Sequence, residues 1–484
     1  MIYPFKTTPY AHQLAAFERS KDAPEFALFH EQRCGKSKVV IDTACYLFGR
    51  GKVDAVLVLA PNGVHNGWDT DQWPTHAWDS VRTVTAAWAS NQTQSIKARL
   101  DALFDLYEYP VLRVLHVNIE ALSTKGKARD TVRRFLDCFT VMSVVDESTD
   151  IKNPGSKRTK AAWYIGERSA YTRILNGTPA TRSPLDVYSQ FRFMSSDLLG
   201  FQSYYAFRNR YAVMRRRNLP GRPAFDEVTG YQNMDELTDN IAVHSHRVVK
   251  SDCFDLPPRS HHRRAVPLSK RQRDLYNRLR KEALINLSGD DVAVPHVLTQ
   301  MMRLQQILGG FVPTDTGEKA VPIEQSSPRL EALMADIAQQ DSKTLVWCRF
   351  TAEIDAITKA LKAEYGAQST LRYDGSIKAV DRPGTQEAFQ TDPGVRFLVL
   401  QEKAGARGLE LSAAGYSYRY SASFDLDTYL QSEERPHSAA QTKNVAHVFL
   451  CAENTIDEKI VKSLEDKKQI ADMITRDNPK SIFE

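Results

Sequence analysis

Two short clusters, Gly35-Lys36-Ser37 and Asp146-Glu147, hold the residues best suited to chemistry. The tripeptide follows the apolar run FALF (26–29) and precedes VVIDTACYLF (39–48), a strand–loop–helix order. In that order main-chain N–H groups and a helix N-terminus gather phosphate oxygens. Lys36 would reach the outer phosphates and Ser37 would ligate magnesium. The first glycine of G-x-x-x-x-G-K-[ST] is missing, and His30 stands in its place. On the tripeptide alone, a chance helix-opening turn explains it equally well. Asp146-Glu147 ends the run VMSVVDES. Open α/β sheets place ligand chemistry at the C-terminal ends of their strands. There Asp146 would hold magnesium and Glu147 would orient or deprotonate an attacking water. A solvated acidic pair is a common strand ending. Its place in the same α/β half as Lys36 favours the chemical reading.

The elements that must position these residues alternate along the chain. FALF, VDAVLVLAP (53–61), VLRVLHVN (111–118), FTVMSVVDE (139–147) and TRILNGT (172–178) read as buried strands of a mostly parallel sheet. KTLVWCRF (343–350), VRFLVLQ (395–401), YSYRYSA (416–422) and NVAHVFLCA (444–452) repeat the pattern. Two α/β halves are expected. Helical patterns dominate residues about 185–245 and 270–335. LPPRSHHRR (256–264) reads as a linker, because Pro-Pro opposes both helix and sheet.

The 484 residues suffice for two or three domains. Hydrophobic residues at 42% and charged residues at 25% are ordinary for a globular protein. No apolar run approaches the ~20 residues of a membrane span, and MIYPFKTTPYAHQ lacks an export signal. The six cysteines form no C-x-x-C pair, which argues against a zinc site and fits a reducing cytoplasm. The net charge of +5 permits a polyanionic partner without demanding one. Trp68, Trp73 and Trp78 are read as core.

In order along the chain, the motifs resemble those of superfamily 2 helicases, and among them the Swi/Snf-type DNA translocases. PYAHQLAAF (9–17) resembles the adenine-reading Q motif, HEQRCGKS (30–37) motif I and VLAPNGVHNGW (58–68) motif Ia. VVDESTDIKNP (144–154) resembles motif II, with an I-K-N-P tail typical of this branch, and ILNGTPATRSPLDVYS (174–189) resembles motif III. HSHRVVKSDCFDLPPR (244–259) resembles the segment that closes the first half, and MMRLQQILGGF (301–311) a helix of the second insertion. LVWCRFTAEID (345–355) resembles motif IV, with RYDGS (372–376) like the segment after it. KAGARGLELSAA (403–414) resembles motif V and YLQSEERPHSAAQ (429–441) motif VI. The resemblance implies an α/β fold of two RecA-like parallel-sheet lobes with helical insertions, and an ATP site in the cleft between them. Lobe 1 would be 1–255 with an insertion at about 185–245. A linker at 256–268, a helical insertion at 269–335 and lobe 2 at 336–484 would follow.

By the same resemblance ATP and Mg2+ are the cofactors. Gln13, Arg33, Cys34, Gly35, Lys36, Ser37, Gly408, Glu410 and Gln431 would bind ATP. Ser37 and Asp146 would hold the metal. Lys36, Asp146, Glu147 and Arg435 would be catalytic, Gly177 and Thr178 would couple the site to movement, and Lys152 and Asn153 would touch DNA. Further basic clusters are GSKRTK (155–160) and MRRRNLPGR (214–222). The partner would be double-stranded DNA, engaged by a monomeric cytoplasmic motor of the compact bacterial or bacteriophage kind, without a membrane. Some positions depart from the pattern: Arg33 replaces a glycine, Asn176 and Arg182 alter motif III, Ser438 replaces the second arginine of motif VI and Ala440 its glycine. Arg407 could substitute for the lost arginine. The alternatives are a strand-separating or RNA helicase and a DNA-binding clamp with degraded ATPase activity. A viral packaging ATPase would carry a nuclease half in place of motifs IV to VI.

Overall fold

The computed structural model describes residues 3–475 apart from positions 63, 125, 182, 218–223, 255, 256, 289–293, 313–319, 379, 380, 407, 408 and 438–440. The chain divides into two compact units, one built mainly on Met1–Arg215 and Glu227–Phe254, the other mainly on Asp255–Lys467.

In the first unit the strands are β1 (Glu25–His30), β2 (Ala55–Ala60), β3 (Thr83–Ala87), β4 (Leu112–Asn118), β5 (Val141–Asp146) and β6 (Tyr171–Leu175). β7 (Ala212–Arg217) and β8 (Phe225–Tyr231) form a separate pair, and β9 (Ser245–Val248) returns to the sheet. The order is β3-β4-β2-β5-β6-β1-β9, parallel throughout. Strand β2, AVLVLA, is buried at every position. Its Ala55, Leu57 and Leu59 enter one core, and Val56, Val58 and Ala60 enter another. The two-residue period of a strand thus feeds two apolar layers, and both faces must be covered by helices.

The second unit contains β10 (Arg259–Val266), the short antiparallel pair β11 (Phe311–Val312) and β12 (Val321–Pro322), then β13 (Lys343–Cys348), β14 (Thr370–Tyr373), β15 (Phe397–Gln401), β16 (Ala414–Arg419) and β17 (Val445–Ala452). Its main sheet runs β10-β17-β16-β13-β15-β14 and is also all parallel. On β13, Leu345 and Trp347 face one core while Val346 and Cys348 face the other.

The nine apolar runs read from sequence are the nine interior strands of these two sheets. Within these two sheets the four strands that sequence reading missed, β3, β9, β10 and β14, are the four edges. An edge strand has one open flank and need not carry a continuous apolar run. β10 shows this most clearly: RSHHRRAV is exposed at seven of its eight positions. The linker expected at 256–268 is therefore corrected. Pro257 and Pro258 precede a strand that pairs with β17 from Arg259 to Val266. The first insertion is also not purely helical. It combines the helices Val187–Met194, Tyr204–Tyr211 and Met234–Val243 with the β7–β8 pair. Trp68, Trp73 and Trp78 are core residues, as expected. Among the described residues no helix is long and apolar enough to cross a membrane.

Candidate active site

Five adjacent strands of the first sheet, β2-β5-β6-β1-β9, deliver motifs Ia, II, III and I and the residue Arg247. All five run parallel, so their outgoing loops lie at one sheet edge.

The loop after β1 carries Glu31–Gly35, and helix α2 (Lys36–Gly49) starts directly behind it. Arg33 has φ 66° and Gly35 has φ 76°. Arg33 thus keeps the left-handed turn that a glycine would take freely. The arginine pays for it with about 1–2 kcal/mol of backbone strain. Gly35 has a second reason to lack a side chain: a Cβ there would lie 1.9 Å from Gln13 Nε2. Gln13 sits on helix α1 (Ala11–Ser20), is buried, and accepts the Tyr10 N–H through Oε1 at 3.0 Å. Its Nε2 lies 3.5 Å from the Cys34 carbonyl, which also bonds the His12 ring at 2.9 Å. The Q motif and motif I are therefore packed as one piece. Lys36 Nζ donates to the carbonyls of His30 and Glu31, at 2.8 and 3.3 Å. His30 is fully buried beside His246, with ring nitrogens 3.1 Å apart, and burial pushes its pKa down to about 2. It is a neutral structural residue, which explains why a histidine is tolerated where the Walker pattern has glycine.

Asp146 closes β5. Its Oδ2 accepts the indole N–H of Trp68 at 2.9 Å, and its Oδ1 accepts the Glu147 N–H at 3.0 Å. Glu147 is held at φ 51°, a left-handed backbone on a non-glycine residue. Such strain concentrates at functional positions. Motif III follows from β6. The buried Asn176 accepts the Thr178 N–H at 2.8 Å through Oδ1, and its Nδ2 lies 3.5 Å from Ser148 Oγ. Ser148 donates to Gln190, whose amide in turn holds the carbonyls of Pro179 and Asp186. Asn176, a departure from the motif III pattern, thus ties the turn at Thr178 to Ser148 beside motif II.

Arg247 on β9 was missed by the sequence reading. Its Nη1 donates to the Phe29 carbonyl at 2.8 Å and to the Gly177 carbonyl at 2.9 Å. Its Nη2 lies 3.8 Å from Glu31 Oε1, while Glu31 Oε2 accepts the Lys250 N–H at 2.8 Å. One side chain therefore joins motif I to motif III. The only sequence signal was its place in the segment before Leu256-Pro257.

Lys152 is half-buried, and its Nζ donates to Thr181 Oγ1 at 2.6 Å, which ties motif II to motif III. Asn153 is exposed and turns the chain by accepting the Gly155 N–H at 2.9 Å. Ser156 caps the helix Lys157–Glu167 by accepting the Thr159 N–H.

In the second unit the remaining candidates form their own assembly. Arg435 is buried; its Nε donates to the Gln431 carbonyl at 2.9 Å and its Nη1 to the Leu409 carbonyl at 3.0 Å. The Leu411 N–H returns a bond to the Arg435 carbonyl at 3.1 Å. Gln431 is buried against Asp427, and the Glu410 N–H is held by Gln386. Motifs V and VI are thus braced together by Arg435. Gly408, Arg407, Ser438, Ala440 and Arg182 lie outside the described residues.

The model of the SNF2-related domain matches residues 19–309, and that of the helicase conserved C-terminal domain matches residues 328–440. The chain belongs to the SNF2-related family. Relatives of this SNF2-related chain include the putative ATP-dependent helicase/translocase YwqA of Bacillus subtilis, 26% identical over 339 residues, covering 68% of this chain and 35% of that protein. The human DNA annealing helicase and endonuclease ZRANB3 is 26% identical over 336 residues, covering 68% of this chain and 29% of its own length. A probable chromatin-remodeling complex ATPase chain of Oryza sativa is 24% identical over 346 residues, 69% of this chain and 29% of that one. The SNF2-related chain thus spans about a third or less of these relatives. Among solved structures, the Sulfolobus solfataricus SWI2/SNF2 ATPase core in complex with dsDNA matches at a TM-score of 0.42 and 20% identity, over 98% of this chain and 94% of that one.

Proposed function

We propose that this SNF2-related chain is an ATP-driven motor that moves along double-stranded DNA, hydrolysing ATP to ADP and phosphate. The observation that carries the reading is the delivery of motifs I, II and III from three neighbouring strands, β1, β5 and β6, to one sheet edge. The residues there fit a magnesium nucleotide. Gly35 at φ 76° gives the loop a left-handed turn just before α2, the conformation in which glycine lets a backbone approach a phosphate. The N-terminus of α2 and Lys36 supply positive charge. Ser37 and Asp146 supply the hard oxygen donors that magnesium takes. When bound, the ion would neutralise charge on the phosphate oxygens.

The chain's own residues would then divide the work. Lys36 would leave the carbonyls of His30 and Glu31 for the terminal phosphates. Glu147, offset from β5 by its left-handed backbone, would hold the attacking water. Arg247 would carry a change at the loop after β1 to Gly177 and Thr178. Arg435 would stabilise negative charge or hold motif V in shape. Family membership and the DNA-acting relatives support duplex DNA as the track. A motor of this kind contacts phosphates and has little sequence preference. The decisive experiment is ATP turnover with duplex DNA, single-stranded DNA or RNA. Stimulation by duplex DNA is expected; preference for RNA, or strand displacement on forked duplexes, would assign a helicase instead. Nucleic-acid binding without turnover would leave the clamp.

A further inference from the structure

We infer that Trp68 is a positioning residue for Asp146, acting through its indole N–H on the carboxylate that would hold the metal. The inference rests on the proposed ATP site.

Trp68 is almost completely buried, and its Nε1 donates to Asp146 Oδ2 at 2.9 Å. The other carboxylate oxygen takes the Glu147 N–H. Each oxygen of Asp146 therefore has a donor, which fixes the rotation of the carboxylate about its own axis. A side chain that orients a metal-binding carboxylate from behind typically changes metal affinity 10–100-fold when removed.

The segment carrying Trp68 is built for this contact. Trp68–Gln72 is a single π-helical turn, closed by the Trp73 N–H on the Trp68 carbonyl. Such turns insert an extra residue and re-aim the side chains around them. Trp68 points to Asp146, while the next residue, Asp69, is buried and pairs with Arg99 at 2.8 Å. Ten residues on, the Trp78 indole donates to Asp42 Oδ1 at 2.8 Å, and Asp42 pairs with Lys38 inside α2. The segment that follows β2 is thus fastened to the motif II carboxylate at one end and to the helix behind Lys36 and Ser37 at the other.

Trp68→Phe removes the indole donor but also shrinks a buried bicyclic ring to a single one, so its packing loss needs a control. Trp73→Phe is the matched control: Trp73 is equally buried, and among the described residues its Nε1 meets no acceptor. The probes are Mn2+, followed by electron paramagnetic resonance in the complex with a non-hydrolysable ATP analogue, and a fluorescent nucleotide titrated without metal. Trp68→Phe should weaken Mn2+ binding 10–100-fold with metal-free nucleotide affinity close to the parent's, while its thermal midpoint falls about as far as that of Trp73→Phe. Trp73→Phe should match the parent in Mn2+ and metal-free nucleotide affinity, with only the thermal midpoint lowered. Parental Mn2+ affinity in Trp68→Phe overturns the inference. So does an equal loss of Mn2+ affinity in both variants, which makes the effect one of packing. A parent that binds nucleotide but gains nothing from Mn2+ overturns it as well. A parent that binds no nucleotide at all removes the ATP-site reading and this inference with it.

Discussion

Gly35 and Gln13 are packed so closely that a methyl group on Gly35 would stand 1.9 Å from the Gln13 amide nitrogen. The His12 ring and the Gln13 amide both reach the Cys34 carbonyl, so the start of α1 packs directly on the loop after β1. The close contact also sets the first prediction. Gly35→Ala forces a left-handed alanine and pushes the Gln13 amide aside, and should destabilise the first unit by roughly 1–3 kcal/mol, most of it from the backbone. Adding Gln13→Ala should return the smaller, overpacking part and leave the backbone part, a coupling read by a double-mutant cycle of denaturant unfolding. Strict additivity would mean the two residues do not touch.

Lys36→Ala should abolish ATP hydrolysis, and Glu147→Gln should retain bound ATP without turning it over. Filter binding of radiolabelled ATP, together with phosphate release, distinguishes the two effects. Parental turnover in either variant would sink the ATPase assignment.

Arg247→Ala removes two charge-assisted hydrogen bonds to main-chain carbonyls, those of Phe29 and Gly177. Such bonds contribute about 1.5–3 kcal/mol each. Turnover on saturating duplex DNA should fall at least about 10-fold, because motif I and motif III lose their shared tether. Both bonds come from one nitrogen, Nη1, so Arg247→Lys, whose ammonium carries three donors, should recover part of the turnover while losing the Nη2 approach to Glu31. Loss of stability with unchanged kcat would confine Arg247 to a structural role.

Arg435 spans Gln431 and Leu409. Arg435→Ala should lower single-turnover hydrolysis at least about 100-fold while ATP binding persists. Ser438→Arg should leave the rate unchanged or raise it. If Arg435→Ala hydrolyses ATP like the parent, the motif VI assignment at this residue is wrong.

Glu353 supplies a pH test in the second unit. It is fully buried, and its Oε2 accepts the N–H groups of Arg349 and Phe350 and the Ser421 hydroxyl. Burial pushes its pKa up to about 7. The folded state therefore holds a proton that the unfolded chain releases near pH 4.5. Stability from this group is full below that value and is lost as pH rises towards 7. Glu353→Gln keeps the shape without the titration. It should flatten the fall in stability between pH 5 and 8, a difference on the order of 3 kcal/mol at pH 8. Urea unfolding of both proteins at the two pH values measures it; parallel pH profiles would show that Glu353 does not titrate there.

What the linear sequence determined was whatever its local pattern must reveal. A strand buried on both faces has to be apolar along its length, so FALF, AVLVLA and VMSVVD announced themselves, and the loops at their ends could be named. Gly35, Lys36, Ser37, Asp146 and Glu147 could be singled out as candidates because each cluster is contiguous in the chain. Edge strands have no such obligation, and β10 hid as a linker because its pairing partner β17 lies almost 200 residues away. The supporting residues hid for the same reason. Trp68 meets Asp146 across 78 positions, and Arg247 meets Phe29 across 218. Nothing in the spacing of a tryptophan or an arginine states which carboxylate or carbonyl it will reach. That was decided only when parallel pairing brought β2, β5, β6, β1 and β9 side by side. Local sequence sets which groups can react, and long-range packing sets which groups hold them still, because a hydrogen bond needs its partners within about 3 Å and the chain alone does not say which residues will be that close.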